Sequence, residues 1–198
     1  MTTRLDDLTR DGTPDKARID AFVDKHRFPL VSPLGVTFVY RGDAESVTLR
    51  CWMAGLDGPQ PLVRIEDTDL WAVTIEFPED SRIEYKFEVV RNGHSELILD
   101  PLNSVRARDP FGANSVCQGY GYARPAWTLH DEEARRGNVR RHRLHSAAFG
   151  RDREVLVYLP PTFRRNRRYP LVVCHDGADY LRYAALQNVL DNLITALD

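Results

Sequence analysis

The sequence predicts two folds in series: an antiparallel β-sandwich, then the opening of an α/β domain with a parallel sheet. Three observations predict this. From Val36 to about Tyr122, apolar residues alternate with period two between turn signals. Leu171-Val-Val-Cys174 is apolar on both faces, a pattern that belongs to strands buried on both sides, as in parallel sheets. Leu186, Val189, Leu190, Leu193, Ile194 and Leu197 recur at helical spacing, as a crossover helix packing one face on a sheet requires.

Residues 1–30 read as an N-terminal helical segment. Thr13-Pro14-Asp15 supplies a hydroxyl cap, a proline for the first helical position and a first-turn acid. Ile19, Phe22 and Val23 form a short apolar stripe, and Phe28-Pro29 closes the element.

Residues 31–122 read as the sandwich. Val36, Phe38 and Tyr40 form one alternating run; Val47, Leu49, Cys51 and Met53 a second; Trp71, Val73, Ile75 and Phe77 a third; Ile83, Tyr85, Phe87 and Val89 a fourth. Gly42-Asp43, Asp57-Gly58, Pro78-Glu-Asp80 and Asn92-Gly93 punctuate them, and Asn92-Gly93 is the strongest hairpin signal because a type I′ turn needs positive φ at both central positions. Trp71 falls on the core face of its run, whereas Trp52 lies opposite Leu49, Cys51 and Met53 and is left for the surface or an interface.

Residues 123–138 are polar and without period, as a connection between domains would be. Residues 139–198 follow as the second domain. Strands are expected at Val139–His145, Glu154–Leu159 and Leu171–Cys174, with a Phe149-Gly150 turn and a basic Arg164-Arg-Asn-Arg-Arg168 loop between them. No further strand follows the last helix, so this domain reads as incomplete.

The net charge of -2 gives the whole chain no general attraction to nucleic acid or anionic lipid. No run approaches about eighteen apolar residues, so no membrane helix is expected. Cys51, Cys117 and Cys174 are far apart and odd in number, and no Cys-x-x-Cys or His-x-x-x-His occurs. The expected setting is cytoplasmic, with no metal and no cofactor.

Val47-Thr-Leu-Arg, Leu70-Trp71, Tyr85-Lys-Phe-Glu-Val89, Asp100-Pro101-Leu-Asn103 and Ser115-Val116 together resemble the early-set, immunoglobulin-like domains that precede catalytic domains in carbohydrate-active enzymes and enterochelin esterases. Ser146-Ala-Ala-Phe-Gly-Arg-Asp-Arg-Glu-Val-Leu-Val-Tyr-Leu-Pro-Pro161, with Tyr169-Pro-Leu-Val-Val-Cys-His-Asp-Gly-Ala-Asp-Tyr180, resembles the esterase family that groups esterase D-like and enterochelin esterase-like α/β-hydrolases. The resemblance implies hydrolysis of a carboxylic ester through a serine nucleophile, on substrates that include a cyclic catecholate siderophore. A small-molecule ester is then the partner, with no nucleic acid and no membrane.

By the same resemblance, Asp176, Gly177 and Ala178 line an oxyanion hole, and glycine would let the backbone turn there without a Cβ clash. The alternative is a plain strand-to-helix turn with Asp176 or Asp179 as cap. His175 and Trp52 are candidates for substrate contact; a satisfied, half-buried imidazole is the alternative for His175. Cys174 reads as a small core residue. None of Ser32, Ser46, Ser81, Ser95, Ser104, Ser115 and Ser146 has glycine both two residues before and two residues after it, so none makes a nucleophile elbow. The catalytic Ser, Asp and His are expected beyond Asp198, which leaves this chain inactive alone. Clustered arginines make the C-terminal part electropositive, suited to an anionic substrate or simply to a solvated face paired with Asp131, Glu132, Glu133 and Asp152. Two other classes stay open: a carbohydrate- or ligand-binding sandwich, and a homodimer formed through an open strand edge.

Overall fold

The structure, a computed structural model, describes residues 4–51, 53, 56 and 58–197, apart from the side chains of Arg4 and Leu197. It divides into one unit through Ala123 and a second from Arg124.

The first unit opens with helices α1 (Arg4–Thr9) and α2 (Lys16–Lys25). The cap of α2 is Asp15, not Thr13: its carboxylate accepts from the Arg18 N–H at 2.8 Å. Carboxylate is at least as good a cap as hydroxyl, and it stands three residues before the N–H it satisfies. Ten strands follow: β1 (Leu30–Ser32), β2 (Gly35–Arg41), β3 (Ser46–Cys51), β4 (Gln60–Pro61), β5 (Val63–Arg64), β6 (Leu70–Ile75), β7 (Arg82–Arg91), β8 (His94–Ile98), β9 (Arg106–Asp109) and β10 (Gly112–Gln118).

They form two antiparallel sheets, β1-β2-β6-β5 and β4-β3-β7-β10-β9, with β8 also paired to β7. One core joins them: Val36, Phe38 and Tyr40 of β2 and Trp71 and Ile75 of β6 meet Val47 and Leu49 of β3 and Tyr85, Phe87 and Val89 of β7. This is the sandwich that the alternation predicts. The β7–β8 hairpin turns at Asn92 (φ 50°) and Gly93 (φ 72°), the positive pair that a type I′ turn needs.

Strand β2 goes beyond simple alternation. Val39 and Leu70 point to the outer face of the first sheet and pack with Leu8, Ile19, Phe22 and Phe28, so the N-terminal helices bury that face.

The second unit holds a 3₁₀ turn (Ala126–Thr128), strands β11 (Asn138–Ser146) and β12 (Arg151–Leu159), and helices α3 (Gly177–Tyr183) and α4 (Leu186–Leu197). β11 and β12 form an antiparallel hairpin in continuous register from Asn138↔Leu159 to Ser146↔Arg151. Here the structure corrects the parallel-sheet expectation. Residues 170–174 form no strand, and Leu171, Val172 and Val173 are 86%, 82% and 71% exposed. A strand apolar on both faces needs neighbours on both edges and layers on both faces, and no described strand of this unit pairs with it. Cys174, expected in the core, is exposed for the same reason. The expected single C-terminal helix is two, broken at Ala185 (φ 49°).

Candidate functional site

The segment His175–Ala178 enters α3. Asp176 adopts the left-handed conformation (φ 54°, ψ 31°) as the residue before the helix, and its side chain caps nothing. Its carbonyl accepts from the N–H of Asp179 at 2.9 Å and of Tyr180 at 3.2 Å. Gly177 is not at positive φ, and a Cβ there would meet only the Cys174 Cβ at 4.0 Å. The turn is thus made by Asp176, correcting the expectation that glycine is needed for it; aspartate tolerates this conformation better than most side chains. The N–H groups of Gly177 and Ala178, first in the helix, have no intrahelical acceptor and remain available to an anion. His175 is exposed. Trp52 lies outside the described residues, and Trp127 is half exposed in the 3₁₀ turn.

Behind the loop, α4 carries a polar grip that the apolar stripe conceals. Asp191 is buried and accepts from the Gly137 N–H and the Tyr158 hydroxyl, both at 2.7 Å. One turn earlier, the Gln187 amide donates to the Gly137 carbonyl at 3.0 Å, so both sides of Gly137 are held by α4. On the adjoining positions, Asn188 and Asn192 donate to the Leu129 carbonyl at 3.0 and 2.7 Å, and Asn192 also to the Trp127 carbonyl at 2.9 Å. Burial, then the bond to Asp191, pushes the Tyr158 hydroxyl above its ordinary pKa. The sequence signal was present: Gln187, Asn188, Asp191 and Asn192 recur at i, i+1, i+4 and i+5, a polar stripe of helical period.

On the hairpin, alternation sorts the charges. Arg141 pairs with Glu154 at 3.3 Å and His145 with Asp152 at 3.0 Å, all on one face. Arg140, His142, Arg151 and Arg153 share the other face with Leu144 and Val155, and no carboxylate of β11 or β12 lies there. Among the described residues, the expected pairs to Asp131, Glu132 and Glu133 do not form; the Asp131 carboxylate instead accepts from the Glu133 N–H at 2.9 Å.

Comparison with known proteins bears on residues 146–198, which match the family model described as "Putative esterase". Among solved structures, ferric enterobactin esterase from Salmonella typhimurium shares 20% identity at a TM-score of 0.54, over 81% of this chain and 49% of that one. The esterase match is thus confined to residues 146–198, and the fold of the chain is similar to that of this enzyme. Enterochelin esterase from Shigella flexneri is 22% identical at a TM-score of 0.51, over 81% of this chain and 48% of that one. The Shigella flexneri enzyme in the presence of enterobactin gives 20% identity and a TM-score of 0.53, over the same 81% and 48%. The chain spans about half the length of the structures it matches. No curated protein matches it. No described helix is long and apolar enough to cross a membrane.

Proposed function

We propose that this chain is part of a serine esterase of the enterochelin esterase-like type. It would cleave carboxylic esters through an acyl-enzyme, with a ferric catecholate siderophore as substrate class. One observation carries the reading: esterase-family sequence over residues 146–198 lies in a chain whose fold matches ferric enterobactin esterases across 81% of its length.

The loop supports it chemically. Acyl transfer develops charge on the carbonyl oxygen, and a preorganised N–H aimed at that oxygen is worth about a hundredfold in rate. In this reading Gly177 and Ala178 supply such groups, Asp176 sets the turn that presents them, and His175 contacts substrate. The arginines of the carboxylate-free hairpin face raise the local concentration of an anionic substrate. The sandwich is of the early-set, immunoglobulin-like class. The protein is cytoplasmic, uses no metal or cofactor, and meets a small molecule rather than nucleic acid or membrane.

These 198 residues contain no Gly-x-Ser-x-Gly, so they hydrolyse nothing by themselves. A fluorophosphonate probe and a catecholate triester test this. The chain is expected to stay unlabelled and inactive, while the longest product of its reading frame is labelled and turns the triester over. A long product that is neither labelled nor hydrolytic overturns the esterase reading.

A further inference from the structure

Beside β7, where β3 ends, the second sandwich sheet carries a concavity of about 750 Å³, lined by outward-facing residues and, on its inner side, by Met53 and Tyr85. Strand parity builds it. β7 sends Ile83, Tyr85, Phe87 and Val89 into the core, so Arg82, Glu84 and Lys86 face outward. On β3, Arg50 stands directly opposite Lys86 in the register. Leu97 of β8, 56% exposed, and Met53, partly buried against the core, give the concavity its apolar surface.

Its charges are unevenly used. Glu84 accepts from both terminal nitrogens of Arg82 at 3.1 Å and from the Asn114 amide at 3.0 Å, so it is fully engaged. Arg50 meets Glu88 through Nε at 3.5 Å, and its terminal nitrogens make no hydrogen bond among the described residues. Lys86 has no ion pair or hydrogen bond among the described residues. Like charges directly opposed across neighbouring strands destabilise a sheet. An oxyanion placed between Arg50 and Lys86 would turn that repulsion into two charge-assisted contacts.

We propose that this concavity binds an organic carboxylate, its charged head held between Arg50 and Lys86 and its apolar body on Leu97 and Met53. The planar guanidinium favours a carboxylate's geometry, and the volume falls in the range of small-molecule sites. The site lies wholly in the first unit and stands independently of the esterase reading.

Calorimetric titration of the chain with 1-naphthoate, against the neutral 1-naphthylmethanol, tests it. Saturable one-to-one binding of the carboxylate is expected, with the alcohol about tenfold weaker or worse. Lys86→Met and Arg50→Gln should each weaken naphthoate by about tenfold, while Arg108→Gln, an exposed arginine on β9, leaves it unchanged. Lys86→Met keeps the aliphatic stem and removes the opposed charge, so its melting temperature should equal or exceed that of the parent, which separates lost binding from lost fold. Absence of saturable binding, equal affinity for the alcohol, or unchanged affinity in Lys86→Met overturns the proposal.

Discussion

The Tyr85 hydroxyl donates to the Asp100 carboxylate at 2.6 Å, inside the sandwich. The Asn103 amide donates to the same hydroxyl at 3.0 Å and to the Val116 carbonyl at 2.8 Å. The Ser115 hydroxyl accepts from the Asp100 N–H at 2.9 Å, which fastens the Asp100–Asn103 turn to β7 and β10. Tyr85→Phe keeps the ring and leaves Asp100 and Asn103 each one partner short. It should lower the stability of the sandwich by about 2 kcal/mol, read from its urea unfolding transition.

The same pair gives a pH dependence. Burial raises the Asp100 pKa above its ordinary 3.8, and the hydrogen bonds from Tyr85 and Leu102 only partly oppose it. The folded state therefore keeps this proton at pH values where the unfolded chain has lost it. The associated stability is whole below the unfolded value and is lost as pH rises through the folded one. Unfolding free energies of the parent, measured relative to Asp100→Asn, should fall between about pH 4 and neutrality. A rising difference would mean that the ionised carboxylate is the favoured form.

In the second unit, Asp191→Ala strands the Gly137 N–H and the Tyr158 hydroxyl and should cost about 2 kcal/mol. A Cβ on Gly137 would lie 2.5 Å from the Tyr158 ring, whose hydroxyl is fixed by Asp191. Gly137→Ala must therefore push that ring off its acceptor. The two substitutions break one contact, so the double variant should lose clearly less than the sum of the singles in a double-mutant cycle.

At the entrance to α3, the strain lies on Asp176 and the freedom on Gly177. Asp176→Gly should stabilise the helix by up to about 1 kcal/mol by removing a left-handed side chain. Gly177→Ala, with room for its methyl and a better helix former, should stabilise by a similar amount, about 1 kcal/mol or less. Amide exchange across Gly177–Tyr183 measures both.

The cysteines should separate cleanly by reactivity. Cys174 is exposed; Cys117 is buried, and burial above all pushes its thiol up to about 12. Maleimide under native conditions should label Cys174 first and reach Cys117 only after unfolding, as peptide mass mapping will show.

The sandwich was legible because Val47, Leu49, Ile83, Tyr85, Phe87 and Val89 face one core, and period-two alternation reports one buried face. Val39 and Leu70 were harder to read: they serve a second cluster on the other face of their sheet, which a one-sided pattern conceals. Leu171–Val173 shows the opposite limit. Its composition reports what such a segment needs around it, and strand pairing depends on partners that local sequence does not contain. The turn before α3 was legible in position but not in detail, since both Asp176 and Gly177 could have made it. The α4 grip was missed because the eye follows leucines, while Gln187, Asn188, Asp191 and Asn192 hold a segment some fifty residues or more away.

That grip decides where the gene can be cut. Expression from residue 139 would begin past Trp127, Leu129 and Gly137, leaving Gln187, Asn188 and Asn192 without these acceptors and Asp191 with the Tyr158 hydroxyl as its one remaining donor among those bonds. Starting at Arg124 keeps every one of those bonds, and with them the seat of α4.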